Sequence, residues 1–156
     1  MADKIHIVLY QPEIHANTGN ISRTCAVTGA ALHIVRPTGF EISDRTLKRA
    51  GLDYWDKLDV TYYDSFDEFL ERNPDGDKYY FSSHATRSYI SPDYKKGSYL
   101  IFGRESVGLP PKLVDGAGDN ALRIPMLPTL RCLNLSNSVA VAAYEVLRQW
   151  SFDGLS

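Results

Sequence analysis

The sequence predicts an α/β fold: a mostly parallel sheet with helices on both faces. Short apolar, β-branched runs alternate with helical segments along the chain. Residues 5–10 (Ile-His-Ile-Val-Leu-Tyr) and 99–102 (Tyr-Leu-Ile-Phe) are almost continuously apolar, the pattern of strands covered on two sides. The last segment carries a long helical stripe of Leu135, Val139, Ala142, Ala143, Val146, Leu147 and Trp150.

Element by element, the strand at 5–10 leads into a helix over 17–28, opened by Asn17 or Thr18, with Ile21 and Cys25 one turn apart and Gly29 at its end. Residues 32–35 form a strand closed by Arg36-Pro37. Asp44 caps a short basic helix over 45–50, which Gly51 stops. A strand follows at 60–63, then a helix from Ser65 to Arg72 with Phe66, Phe69 and Leu70 inward. Strands at 79–81 and 99–102 complete the sheet, and the last helix starts at Asn134 or Ser136.

With 156 residues, 44% hydrophobic and 23% charged, the chain has the size and composition of one globular domain spanning 1–156. No run of about 18 apolar residues is present, so no transmembrane helix is expected. The first residues lead straight into a strand, so no signal peptide is expected either. Cys25 and Cys132 form no CxxC pair and read as reduced thiols, which predicts a cytoplasmic protein. The net charge of −2 gives no global attraction to nucleic acid, so any RNA contact has to come from a local patch. The histidines His6, His15, His33 and His84 share no ligand spacing, and no metal is expected. His6 and His33 lie in strands and read as satisfied core or edge histidines.

Ligands of open α/β sheets bind beyond the carboxyl ends of strands, so the loops there carry the functional reading. Three are unusual. Residues 17–23 (Asn-Thr-Gly-Asn-Ile-Ser-Arg) open a helix whose free N–H groups favour an anion, with Arg23 able to fork onto a phosphate. Equally, Asn17 is only a cap there and Arg23 lies in solvent. Residues 102–111 (Phe-Gly-Arg-Glu-Ser-Val-Gly-Leu-Pro-Pro) describe a rigid loop whose backbone can approach a ligand closely, or a plain turn. They match neither a dinucleotide fingerprint, a P-loop nor a nucleophile elbow. Residues 124–138 frame an apolar loop with Pro125 and Pro128. Its Ile124, Met126, Leu127 and Leu133 either wall an adenine-sized slot or pack as core. The basic stretch Arg45, Lys48 and Arg49, beside Tyr54 and Trp55, is an RNA contact or a solvated face.

In this order and spacing the three clusters resemble the SPOUT superfamily of RNA methyltransferases, above all its minimal TrmL-type tRNA 2′-O-ribose members. Residues 49–54 (Arg-Ala-Gly-Leu-Asp-Tyr) also look like that group, and the likeness runs from about Ile5 to Trp150. The resemblance implies a C-terminal trefoil knot and a homodimer with a shared active site. It implies S-adenosylmethionine as methyl donor, leaving S-adenosylhomocysteine, with no metal. Carried over by position, Phe81, Gly103, Glu105, Ile124, Met126, Leu127, Cys132 and Leu133 hold the cofactor. Cys132 stands where relatives carry Ser, which leaves a backbone contact in place of a hydroxyl.

Arg23, Asn17 and Tyr144 become the catalytic candidates, with Arg23 facing cofactor held by the partner copy. Tyr144 is alternatively a packed helix residue. A guanidinium rarely deprotonates, so Arg23 is expected to position phosphate and 2′-hydroxyl and to stabilise developing alkoxide. Arg45, Lys48, Arg49 and Arg131 are the RNA-binding candidates. The implied activity is 2′-O-methylation of the wobble nucleotide (cytidine or uridine 34) in the anticodon stem-loop of a tRNA, in particular a leucine tRNA. Two alternatives stay open: an rRNA 2′-O-methyltransferase of the same superfamily, and a non-catalytic RNA-binding or assembly protein on the same fold.

Overall fold

A computed structural model of the chain describes residues 3–41, 57–130 and 133–156. The elements run β1 (His6–Tyr10), α1 (His15–Thr28), β2 (Ala31–Val35), β3 (Val60–Tyr63), α2 (Phe66–Arg72), β4 (Lys78–Phe81), β5 (Arg87–Ser88), β6 (Tyr99–Phe102), α3 (Pro111–Ala117), a 3-10 turn (Gly118–Asn120), β7 (Ala121–Arg123) and α4 (Leu135–Gln149). The sheet order is β3-β2-β1-β6-β4-β7-β5, and every pairing is parallel. The expected basic helix over 45–50, with Arg45, Lys48, Arg49, Tyr54 and Trp55, lies outside the described residues, as do Arg131 and Cys132.

Side chains alternate across a strand, and here both alternating sets are buried. Ile7, Leu9, Leu32, Ile34, Leu100 and Phe102 point to one face, where Ile21 and Cys25 of α1 and Val139, Ala143 and Val146 of α4 cover them. Val8, Val35, Tyr63, Tyr99 and Ile101 point to the other, covered by Phe66 and Phe69 of α2 and edged by Leu113 and Val114 of α3. Helices on both faces explain why the central strands lack a polar alternation. Burial in this core pushes the Cys25 thiol up to about 12, so it stays protonated and inert.

The ends of the elements follow their local sequence in most places. Gly29 closes α1 in the left-handed region, at φ 77°. Ser65 caps α2 by accepting from the Glu68 N–H at 3.0 Å, and Glu68 accepts in return from the Asp64 N–H at 3.2 Å. Asn134, not Ser136, caps α4, accepting from the N–H groups of Ser136 and Asn137.

The start of α1 departs from expectation. The helix begins at His15, with Ile14 as an extended N-cap residue that makes no side-chain cap, so Asn17 sits inside the first turn. The missing cap is supplied from elsewhere in the chain. Four of the described elements were not foreseen: α3, whose Pro111 takes the first helical turn where its missing N–H costs nothing, the 3-10 turn after it, and the short strands β5 and β7. Strands of two and three residues carry too little pattern to read, and pairing with neighbours makes them.

Candidate active site

The register sets the carboxyl ends of the central strands level, pairing Leu9 with Phe102 and Phe102 with Phe81. Phe81 and Phe102 stack there with ring centroids 4.6 Å apart. Beyond them a cleft of about 830 Å³ opens between the loop after β6, the loops after β4 and β7, and the starts of α1 and α4. Its walls combine the apolar Phe81, Phe102, Ile124, Met126 and Leu133 with loop backbone and the polar Asn17, Ser82, Glu105 and Ser138.

The loop after β6 is a closed unit. Arg104 and Gly108 exchange backbone hydrogen bonds at 3.2 and 2.8 Å, which folds the chain back onto Gly103. A Cβ on Gly103 would lie 2.1 Å from the Leu109 nitrogen, so only glycine fits that position. Gly108 turns the loop with φ +70°.

This loop carries the cap that α1 lacks. Glu105 Oε1 accepts from the Glu13 N–H at 2.8 Å, and Oε2 accepts from the Ile14 N–H at 2.8 Å and from Asn17 Nδ2 at 3.2 Å. A carboxylate at a helix N-terminus also meets the positive end of the helix dipole. The clasp is reciprocal, because Glu13 Oε1 accepts from the Ser106 N–H at 2.9 Å and from Ser106 Oγ at 2.7 Å. Those bonds hold the Glu13 carboxyl below its usual range, helped by nearby Arg104. Asn134 Nδ2 then donates to Asn17 Oδ1 at 3.1 Å. Asn17 therefore joins all three sequence clusters, through Glu105 on one side and Asn134 on the other.

The cleft gathers Asn17, Phe81, Gly103, Glu105, Ile124, Met126 and Leu133 among the sequence-derived candidates. Leu127 does not line it and is 68% exposed. The expected anion site at the start of α1 needs a correction: the anion held there is the chain's own Glu105. Arg23 was expected about one turn in. It lies eight residues along α1, about 12 Å up the axis, exposed and not among the residues that line the cleft of its own chain. Tyr144, 46% exposed on α4, is not a packed helix residue. Sequence reading missed His84 as a cleft residue, and it singled out Phe102, Val107 and Leu109 only as members of the loop over 102–111. The signal for Phe102 was its place as the last apolar residue before Gly103, level with Phe81.

Among the described residues no group of three His, Cys, Asp or Glu side chains is placed to hold a metal ion, and no helix is long and apolar enough to cross a membrane. His6 and His33 are hydrogen-bonded within the sheet, away from the cleft, as core histidines.

The profile of the SpoU rRNA Methylase family matches residues 4–144. A Geobacillus stearothermophilus protein provisionally named tRNA (cytidine(34)-2′-O)-methyltransferase is 53% identical over 155 residues, covering 97% of this chain and 99% of the relative. The Escherichia coli (strain K12) tRNA (cytidine(34)-2′-O)-methyltransferase is 43% identical, with 96% of each chain covered. Among solved structures, one described as giving insight into 2-OH methylation of C/U34 on tRNA superposes with a TM-score of 0.88 at 44% identity, covering 97% of this chain and 99% of its own. The loop clusters that converge on the cleft, and a match that extends nearly end to end, lead to one assignment: the chain belongs to the SpoU methylase family.

Proposed function

We propose that this protein transfers a methyl group from S-adenosylmethionine to the ribose 2′-hydroxyl of nucleotide 34, cytidine or uridine, in a tRNA anticodon stem-loop. One observation carries the reading. In a chain 43% identical over nearly its whole length to a named enzyme of that activity, the three loop clusters meet at a single cleft.

The residues present suit the methyl donor. At about 830 Å³ the cleft falls in the size range of small-molecule sites. Phe81, Ile124, Met126 and Leu133 offer apolar surface for an adenine ring, and the braced backbone of the loop after β6 offers N–H and C=O groups. We assign Gly103 and Cys132 to cofactor contacts through backbone. We assign Leu127 to the rim and Glu105 to holding the loop. When bound, S-adenosylmethionine supplies an electrophilic methyl on a sulfonium centre.

The protein's share is alignment, exclusion of water and handling of the hydroxyl proton. Arg23 orients a phosphate and the ribose oxygen and stabilises alkoxide character, while the proton passes to a phosphate oxygen or water. The active unit is a homodimer in which one copy's Arg23 serves the partner's cleft, a reading supported by Arg23 not lining the cleft of its own chain. Val141 and Tyr144 of α4 and Val27 of α1 are exposed and suit such an interface. Tyr144 completes the catalytic side with Asn17, and Arg45, Lys48, Arg49 and Arg131 contact RNA.

The chain forms one domain over 1–156, working in the cytoplasm, and its segment between β7 and α4 threads a trefoil knot. Two features support the threading: β7 inserts between β4 and β5, and α4 then returns to pack with α1. Purified protein, labelled methyl donor and unmodified tRNA test the reading. Digestion and mass spectrometry are expected to place label on the ribose of nucleotide 34. Label confined to rRNA, or found on a base, overturns it.

A further inference from the structure

We infer that Glu13 is a positioning residue for methyl transfer, acting through Ser106 to fix the tip of the cofactor loop against the helix that carries Arg23. The inference rests on the methyltransferase reading of the cleft.

The geometry begins at the Glu13 backbone, which has no room to move. Gly39 presses on it so closely that a Cβ there would lie 2.6 Å from the Glu13 carbonyl oxygen, and the Gly39 N–H donates to Pro12 O at 2.9 Å. From the opposite side, the Glu13 N–H is held by Glu105 at 2.8 Å. On that fixed base the side chain reaches the next residue of the loop, where Oε1 takes both the backbone N–H and the hydroxyl of Ser106.

Ser106 and its neighbour Val107 both line the cleft, and Val107 is 65% exposed, so packing does not hold the tip. The Arg104–Gly108 exchange closes the base of the loop, and Glu105 ties one residue of it to the start of α1. The Glu13 bonds add a direct hold on Ser106 at the tip, and without them the tip is held only through Glu105 and that base. These bonds lie at the surface, where hydrogen bonds and charges add little to global stability, so their effect falls on geometry. In-line transfer is sensitive to such geometry, since a displacement of about 1 Å can cost roughly a hundredfold in rate.

Both bonds go to one oxygen, which gives the test its control. Glutamine keeps that acceptor, whereas alanine removes it. In the full-length protein assayed on unmodified tRNA, Glu13→Ala is expected to lower kcat about tenfold or more, and Ser106→Ala, which keeps the backbone N–H bond to Glu13, about threefold or more. Their melting temperatures stay within about 2 °C of wild type, and the double variant is no slower than the slower single. Glu13→Gln restores kcat to within about threefold. Amide exchange at Ser106 quickens in Glu13→Ala and not in Glu13→Gln. Alanine variants with wild-type kcat, a loss that follows melting temperature, or single losses that multiply in the double variant each overturn the inference. A wild-type protein inactive on tRNA overturns the underlying reading and this inference with it. An active wild type beside equally active variants overturns the inference alone.

Discussion

Two polar clusters among the described residues are finished differently. On the α2 face of the sheet, His6 Nδ1 and His33 Nε2 share a hydrogen bond at 2.8 Å, and His33 Nδ1 bonds the Tyr63 hydroxyl at 2.7 Å. Asn73 Nδ2 donates to Tyr63 at 3.1 Å and Asn73 Oδ1 accepts from Tyr99 at 3.2 Å. Phe69 packs edge-on against the His33, Tyr63 and Tyr99 rings. Apart from a bond from Asn73 Nδ2 to the Phe69 carbonyl at 2.8 Å, this network closes on itself among side chains. At the carboxyl ends, by contrast, Glu13, Asn17, Glu105 and Asn134 spend their hydrogen bonds on backbone, on one another and on the hydroxyls of Ser106 and Ser136 around a cavity. A buried network whose members satisfy each other contributes structure. One that holds loops open around a void leaves room for a ligand. The comparison therefore divides residues by expected phenotype: stability for the first cluster, turnover for the second.

The largest expected effect is Gly103→Ala. The added carbon would meet loop backbone at 2.1 Å, so the loop has to open, at a cost of about 4 kcal/mol by urea unfolding. A loss below about 1 kcal/mol would show that the loop is not braced as described. Next is Arg23→Ala, expected to slow methyl transfer about a hundredfold, or about 2.7 kcal/mol, with the fold and donor affinity retained. Unchanged turnover removes Arg23 from the mechanism. Smaller again is His33→Ala, expected to destabilise by about 2 kcal/mol, because it leaves the Tyr63 hydroxyl and His6 Nδ1 without their shared partner. Its kcat at neutral pH stays at the wild-type value. A loss of turnover with no loss of stability would reverse the division between the clusters.

How far the sequence alone reaches follows the range of the interactions involved. The strands at the centre of the sheet and the stripe of α4 were legible because burial on two faces, or on one helical face, repeats every few residues. The cleft's location was legible because Gly103 and the proline-framed loop follow strands. The clasp was not, since Glu13 and Ser106 stand 93 residues apart and no local pattern pairs them. One local sign existed: Ile14 starts α1 without a side chain able to cap, which requires an acceptor from elsewhere. Arg23 was placed too near the helix start because Asn17 resembles a cap. Glu105 supplies that function, which lets the helix begin two residues earlier and leaves the Asn17 amide to join α1 and α4.

The pH dependence of stability sharpens the comparison most, because it acts on one cluster and spares the other. Burial lowers the His33 ring to about 3 and the His6 ring to about 4. Both are therefore neutral when folded at neutral pH, whereas an unfolded histidine titrates near about 6.5. Between those values the unfolded chain binds protons that the folded chain refuses, so stability is fully present above about pH 6.5. It falls as pH drops toward about 4, below which both states are protonated at His6 and only His33 still contributes. The slope from His33 is at most about 1.4 kcal/mol per pH unit. The Glu13 carboxyl, held low by Ser106, stays ionised through most of that range, so the clasp keeps its bonds while the histidine network weakens. Urea midpoints measured from pH 7.5 to 4.5 should fall in the wild type and fall less steeply in His33→Phe, which removes one titrating ring. Parallel curves for the two proteins would mean that His33 is not the group whose protonation unfolds the chain.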